Sequence, residues 1–174
     1  MRHCSLRAAL ATSRLGLVVI ALVATLGGCA EPPVHPGPAG APAPHDLARD
    51  EALGGHTLAR HVGRTEAELR ARLARERSLA AASTFSDRES AEEAVALALT
   101  AHAARIERWR RRGPHRPNLT LDQRAPSGVQ WGTTLRRGDR RPRPASSARV
   151  VLRARGDGFY VLTAYPTEGS WTDR

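Results

Sequence analysis

Two pairs of side chains in this sequence have the types and spacing needed for acid–base chemistry. His56 and His61 are five residues apart, and histidine is the side chain whose ordinary pKa lies nearest neutrality. Thr163 and Tyr165 are two residues apart, so a β-strand would point both hydroxyls to the same face. Taken locally, His61 could also cap or pack beside the next helix, and Thr163 and Tyr165 could be ordinary strand residues.

The formal charge of the chain is +10, and its strong cations are all arginines because the sequence contains no lysine. Three arginines and no acids lie in the first 28 residues, which leaves +7 for residues 29–174. The planar guanidinium of arginine suits bidentate contact with phosphate. A GC-rich genome that replaces lysine codons explains the bias equally well. The charge is compatible with nucleic acid, anionic lipid or lipopolysaccharide as a partner.

The first 28 residues have the pattern of an export signal. Arg2, Arg7 and Arg14 form a basic start, and residues 15–28 are uncharged and largely apolar. Such a segment is removed from the mature protein. It is also shorter than the roughly 20 apolar residues that span a bilayer comfortably. We therefore expect residues 1–28 to be a signal peptide outside the fold.

The end of this segment, Leu26-Gly27-Gly28-Cys29, resembles the lipobox of bacterial lipoproteins, in which the cysteine is acylated and becomes the N-terminus. The alternative is a plain signal peptide followed by a free thiol. Ala30 stands where an aspartate would resemble an inner-membrane retention signal, so an exported protein anchored to the outer membrane is favoured. Proline-rich residues 29–45 are typical of an extended spacer.

The cysteine content excludes an internal disulfide in the exported domain. Cys4 and Cys29 are the two cysteines of the chain, and Cys4 leaves with the signal. Residues 46–174 must therefore be stabilised by burial, and this length suffices for one ordinary core.

Helix signals occupy the first half of this domain. Thr65 and Glu68 have the spacing of a capping box, so a helix is predicted from there to Arg77. A second capping box is predicted at Ser90 and Glu93, before a longer helix that the basic and breaker residues 110–114 end. The longer helix has one apolar stripe at helical spacing, formed by Ala91, Ala94, Val95, Ala98, Leu99, His102, Ile106 and Trp109. On this stripe His102 is expected to be a core histidine.

Strand signals follow in the second half. Residues 129–135, 148–154 and 159–165 are rich in strand-forming side chains, and residues 155–158 have the composition of a hairpin turn. Helices first and strands afterwards predict an α+β domain in which helices pack on an antiparallel sheet.

Several sequence blocks in a fixed order resemble the ribonuclease A-like domain at the C-termini of bacterial contact-dependent growth inhibition toxins and related polymorphic toxins. The resemblance covers roughly residues 46–167. The blocks are His56-Thr57-Leu58, Arg60-His61-Val62-Gly63, the helix from Leu69 to Leu73 with Arg72, Ala82-Ser83-Thr84-Phe85, the segment from Ile106 to Trp109, and Leu162-Thr163-Ala164-Tyr165-Pro166.

The resemblance implies an RNA-cleaving fold without the disulfides of vertebrate ribonuclease A. It also implies a site made from an N-terminal histidine, a helical arginine and a Thr-x-Tyr pair on the last strand, which match His61, Arg72, Thr163 and Tyr165. The resemblance also implies that RNA is the substrate and that a cognate immunity protein is a partner. The chain is expected to be monomeric.

The expected chemistry is attack of the 2′-oxygen of RNA on its own phosphate, with a base, an acid and charge-stabilising groups. His61 is the candidate general base, and His56 is its rival for that role. Arg72 would bind the scissile phosphate. The acid stays open: the last histidine of the chain is His115, so the final strand contains none.

No cofactor is predicted, and the spacing of the two N-terminal histidines does not indicate a metal site. The arginine-rich residues 136–143 are expected either to contact the RNA backbone or to form a solvated loop. The alternative to a metal-independent endoribonuclease is a lipid-anchored basic module that binds anionic polymers without catalysis.

Overall fold

Residues 42–169 are described by a computed structural model of the chain. The predicted signal peptide, Cys29 and nearly all of the predicted spacer lie outside these residues. Within them, no helix is long and apolar enough to cross a membrane. The elements, in order, are α1 (Leu47–Ala52), α2 (Thr57–His61), α3 (Glu66–Arg75), β1 (Ala81–Phe85), α4 (Arg88–Ala101), α5 (Ala103–Arg110), β2 (Leu119–Arg124), β3 (Gly132–Arg136), β4 (Arg143–Ala145), β5 (Ser147–Arg155) and β6 (Gly158–Thr167).

The predicted helix starts are half right. The capping box at α3 is confirmed, because the Thr65 hydroxyl accepts from the Glu68 amide and the Glu68 carboxylate accepts from the Thr65 amide. The second capping box is wrong. Asp87 caps α4 and accepts a hydrogen bond from the Ser90 amide at 2.7 Å. The Asp87 carboxylate accepts from the otherwise unpaired amide of Ser90, as an N-cap side chain does. The helix therefore begins at the next residue, Arg88.

The predicted long helix is two helices that meet at His102. His102 leaves the helical conformation (φ −107°, ψ 18°), and its Nε2 lies 3.0 Å from the carbonyl oxygen of Asp122 in β2. This side-chain contact with the sheet competes with continuation of the helix. The change of direction leaves Ile106 and Trp109 of α5 buried. His102 is half-buried and hydrogen-bonded.

The predicted α+β class is confirmed, but the strands form two sheets where one was expected. The order β1-β3-β4 makes the first sheet, and β2-β5-β6 makes the second. Neighbouring strands in both are antiparallel. The predicted hairpin is present, since Arg155 of β5 pairs with Gly158 of β6. The predictions did not include β1, β2 and β4.

The buried apolar side chains form two clusters of different size. What we call the large core lies between the second sheet and helices α4 and α5, and it includes Trp109, Leu121, Trp131 and Val161. What we call the small core lies between α3 and strands β1 and β3, and it consists of Leu69, Leu73, Ala82 and Leu135.

Candidate active site

The four residues that the resemblance singled out line one cleft of about 300 Å³. The cleft lies between α2, α3, β1 and β6, so three of its walls come from elements that are distant in sequence from β6. Its lining residues are His56, His61, Arg72, Leu79, Ala81, Ala82, Ser83, Thr163 and Tyr165. The rival histidine, His56, is therefore in the same cleft. The catalytic roles of these residues stay predictions.

Hydrogen bonds fix α2 against β6 on both sides of Thr163. The backbone N–H of His56 donates to the carbonyl oxygen of Leu162 at 3.0 Å. The N–H of Ala164 donates to the Thr57 hydroxyl at 2.8 Å. Because α2 begins at Thr57, these two bonds fix the start of the helix, and with it the two histidines, relative to the strand.

Gly55 allows this close approach. Its N–H donates to the carbonyl oxygen of Asp50 at 2.9 Å, which folds the segment back against α1. A Cβ atom at Gly55 would lie 2.6 Å from the carbonyl oxygen of Val161 in β6, closer than real Cβ atoms come to oxygen. The absence of a side chain here is what brings His56 beside β6.

His61 is buried, with 7% of its surface exposed. Its Nδ1 lies 3.4 Å from the carbonyl oxygen of Ser83 in β1. A carbonyl oxygen has no proton, so this contact requires Nδ1 to donate, and Nε2 is left as the nitrogen that can accept a proton. The centroid of the ring lies 5.4 Å from that of Tyr165.

Burial lowers the pKa of His61 from 6.5 to about 4, and the positive charge of Arg72 adds to the effect. His56 and Arg60 also lower this pKa by smaller amounts, whereas the hydrogen bond to the Ser83 carbonyl raises it. His61 is therefore neutral at pH 7, the protonation state that a general base needs. The pKa of His56 is also lowered, first by burial and then by Arg60.

Arg72 lies on α3 between the small core and the cleft. It is about one-fifth exposed, and its Nε is 3.4 Å from the Glu76 carboxylate one turn later. Exposed Arg60 and Arg75 line a neighbouring depression together with Arg72 and Glu76. The cleft therefore opens toward a rim that carries three arginines and one carboxylate, a surface suited to a polyanion.

Thr163 and Tyr165 lie on one face of β6, as their spacing predicted. The Thr163 hydroxyl oxygen is buried and has no hydrogen-bond partner within residues 42–169. Tyr165 pairs across the sheet with Arg149, whose guanidinium forms two bonds of 2.8 and 3.1 Å with Asp122. These bonds, and a weaker hydrogen bond with Tyr165, raise the pKa of Arg149.

Arg149 and Ser83 are the site residues that the sequence interpretation missed. Arg149 contacts Tyr165 only because β5 and β6 pair in one particular register, and Ser83 acts through its backbone oxygen. Neither the contact of Arg149 with Tyr165 nor the hydrogen bond of the Ser83 carbonyl is indicated by a sequence pattern. A strand-pairing prediction for residues 147–167 would have been the one route to Arg149.

The arginine-rich residues 136–143 are occupied largely by contacts within the protein. Arg136 forms an ion pair of 2.8 Å with Glu168, and Arg143 pairs with Asp139 at 3.1 Å. Arg137 donates to several carbonyl oxygens in the last turn of α3 and just after it, including that of Leu73 at 2.7 Å. Contact of this loop with RNA stays a prediction. Within residues 42–169 no group of three or more His, Cys, Asp or Glu is placed to hold a metal ion.

The comparisons with known proteins agree with this architecture. Residues 55–166 match the family described as "Bacterial CdiA-CT RNAse A domain". The chain belongs to this family of bacterial toxin ribonucleases. No curated protein matches the chain.

One solved structure is similar over most of the described residues. It is the crystal structure of a CdiA-CT/CdiI complex from Y. kristensenii 33638, with 33% sequence identity and a TM-score of 0.57. The match covers 65% of this chain and 99% of that chain. It supports the mixed fold of helices followed by antiparallel sheets, and the predicted ribonuclease A-like class is confirmed.

Proposed function

We propose that the chain cleaves RNA without a metal ion, by attack of a ribose 2′-oxygen on the adjacent phosphorus. The observation that carries this proposal is the juxtaposition, in one cleft, of a buried neutral imidazole and an arginine. Membership of the toxin ribonuclease family supports it.

In the proposed reaction, Nε2 of His61 removes the proton of the 2′-OH. The 2′-oxygen then bonds to phosphorus, and the bond from phosphorus to the 5′-oxygen of the next nucleotide breaks. The departing oxygen takes up a proton. The products are a 2′,3′-cyclic phosphate and a 5′-hydroxyl.

Arg72 would stabilise the charge that develops on the phosphate oxygens, because its guanidinium is always protonated and presents parallel N–H donors. Thr163 and Tyr165 would complete the phosphate contacts. The unpaired Thr163 hydroxyl supports this role, since leaving a buried polar group unbonded costs about 1–3 kcal/mol that a phosphate oxygen could recover.

The test is cleavage of RNA by the purified chain in the presence of a chelator, with the end groups identified by mass spectrometry. We expect His61→Ala to lower kcat/KM by about 10²–10⁴-fold, the usual worth of a general base. The matched control is His115→Ala, because His115 is exposed and outside the cleft.

Equal activity of wild type and His61→Ala would contradict the catalytic role. Activity that requires an added metal ion would contradict the metal-independent mechanism. Salt-sensitive binding of RNA without any cleavage would support the binding-module alternative.

We also propose that a cognate immunity protein covers the cleft. The similar solved structure is a complex of CdiA-CT with CdiI. The arginine-bearing rim around Arg72 suits an acidic partner. Inhibition of cleavage by the product of an adjacent gene for a small acidic protein is the test, and the same protein should lose affinity when Arg60 and Arg75 are both replaced by Glu.

For location, we propose that the exported chain is anchored to the outer membrane through a lipid on Cys29. The lipobox-like residues 26–29 support this proposal. Labelled palmitate should be incorporated into wild type and not into Cys29→Ser. Membrane fractions containing unlabelled wild-type protein would contradict it.

A further inference from the structure

The geometry of the cleft points to His56 as the general acid that protonates the leaving 5′-oxygen. This inference rests on the proposed cleavage reaction. The sequence pattern left the acid open, and His56 entered only as a rival for the base. The structure gives the two histidines of the cleft different surroundings, and acid–base pairs are recognised by such a difference.

Few side chains of the cleft can supply a proton. Among its described lining residues, the titratable groups are His56, His61, Arg72 and Tyr165. Arg72 does not deprotonate in proteins, and His61 is assigned to the 2′-OH. The Tyr165 phenol oxygen accepts a hydrogen bond from Arg149, because arginine only donates, so its own O–H proton stays available and Tyr165 is the rival of His56 for this role. His56 is the histidine left for this role, and histidine is the side chain that most often serves as general acid.

The two rings are close enough for both imidazoles to reach the same phosphate group from the cleft. Their centroids are 6.5 Å apart, with an angle of 40° between the ring planes. The attacking and leaving oxygens of such a displacement lie on opposite sides of phosphorus, so the base and the acid must stand on opposite sides too. Each must come within about 3 Å of its own oxygen. Arg72 acts electrostatically on both rings, as expected of a cation near the same phosphate.

The position of His56 is held by the backbone, which leaves its ring free to act. Its N–H is bonded to Leu162 in β6, and its carbonyl oxygen accepts from the Arg60 amide at 3.1 Å. No side-chain cap bond to α2 is formed by His56. The ring is half-buried, whereas His61 is buried, so His56 is the better placed of the two to recover a proton from water after each turnover.

The charges around His56 come from every element packed against it. Arg60 on α2 and Arg72 on α3 disfavour its protonated form, whereas Glu51 on α1 favours it. His61 is neutral in the free protein at pH 7. A bound phosphate adds negative charge beside the imidazole, which favours the imidazolium that donates the proton.

The test uses two substrates that differ only in the need for an acid. One is a dinucleotide, whose leaving 5′-alkoxide must be protonated. The other is a nucleoside 3′-(4-nitrophenyl phosphate), whose nitrophenolate leaves without a proton. We expect His56→Ala to lower kcat/KM on the dinucleotide by about 10²–10⁴-fold and to leave the nitrophenyl ester nearly unaffected.

Two further variants control for structure and for the base. His56→Asn cannot act as an acid but keeps a polar side chain, and it should show the same selectivity as His56→Ala. His61→Ala should slow both substrates, because each needs its 2′-OH deprotonated. The descending, high-pH limb of the dinucleotide profile should disappear in both His56 variants and persist in wild type.

Equal losses on both substrates in the His56 variants would overturn the assignment, as would unchanged cleavage of both. A selective dinucleotide loss in Tyr165→Phe, with none in His56→Ala, would transfer the role to Tyr165. Failure of the wild-type chain to cleave either substrate would instead refute the proposed function, so the two failures are distinguishable.

Discussion

Two walls of the cleft, one formed by β6 and the other by α3, differ in how much buried apolar surface supports them. Thr163 and Tyr165 lie on β6, whose other face contributes Val161 and Ala164 to the large core. Arg72 lies on α3, which is packed only through the small core. Burial of apolar surface is the main stabilising contribution in a domain without disulfides. The wall that carries Arg72 is thus the weaker one.

Each wall also has an arginine that binds backbone carbonyl oxygens. On the side of the large core, buried Arg116 donates to Gly113 at 2.6 Å and stacks 4.4 Å from the centre of the Trp109 ring. On the side of the small core, exposed Arg137 donates to the carbonyl oxygens of Leu73 in α3 and of Leu79 after it. Where the apolar cluster is small, polar bonds carry more of the local stability. The comparison predicts that the α3 wall opens first.

The largest expected effect on stability comes from replacing one buried leucine by alanine in each of the two cores. Leu121→Ala in the large core should lower the free energy of unfolding by about 3–5 kcal/mol, and Leu73→Ala in the small core by about 2–3 kcal/mol. Both leucines are buried, with 0% and 5% of their surface exposed. Urea unfolding measures the difference, and equal losses would remove the distinction between the cores.

Activity should rank these two variants in the opposite order. Leu73 lies next to Arg72, so its truncation shifts the phosphate-binding arginine, and a small misplacement costs roughly tenfold to a hundredfold in kcat/KM. Leu121→Ala should leave kcat/KM nearly unchanged at a temperature where the variant stays folded. A larger activity loss in Leu121→Ala would contradict the proposal that activity depends on the position of Arg72 on α3.

The second prediction concerns His61, which is buried where the two walls meet. Because its pKa is lowered from 6.5 to about 4, the unfolded chain binds a proton between these pH values that the folded chain does not. The stabilisation is therefore complete above pH 6.5 and is lost as the pH falls toward 4. We expect a loss of roughly 3 kcal/mol.

Unfolding measured at a series of pH values checks this sign. His61→Gln cannot be protonated and should flatten the dependence in that range, whereas the exposed His115→Gln should retain it. An unchanged dependence in His61→Gln would show that other groups dominate acid sensitivity.

The smallest expected effect on stability comes from removing the hydrogen bonds that Arg137 makes at the end of α3 and just after it. Arg137→Ala removes the bonds to Leu73, Glu76 and Leu79, and we expect it to lower stability by about 1–3 kcal/mol. Hydrogen exchange should accelerate mainly at the end of α3. The exposed neighbouring Arg141→Ala is the control, and uniform acceleration over β5 and β6 in the Arg137 variant would show that this contact is not local.

Much of the fold could be predicted from local sequence. The Thr65 capping box, the hairpin at residues 155–158 and the α+β order depend on contacts between near neighbours, and these are confirmed. The break at His102 could not be predicted, because it involves a bond to Asp122, twenty residues away. The division of the strands into two sheets could not be predicted for the same reason, since strand partners are determined by packing and not by local propensity.

The sequence by itself determined the chemical inventory: no lysine, no cysteine in residues 46–174, two nearby histidines and a Thr-x-Tyr pair. Only the tertiary structure decided how these groups are used. The carbonyl oxygen of Ser83 sets which nitrogen of His61 accepts a proton, and burial together with Arg72 keeps that imidazole neutral. Protonation depends on desolvation and on charges brought together across the fold, and neither is encoded in the spacing of residues along the chain.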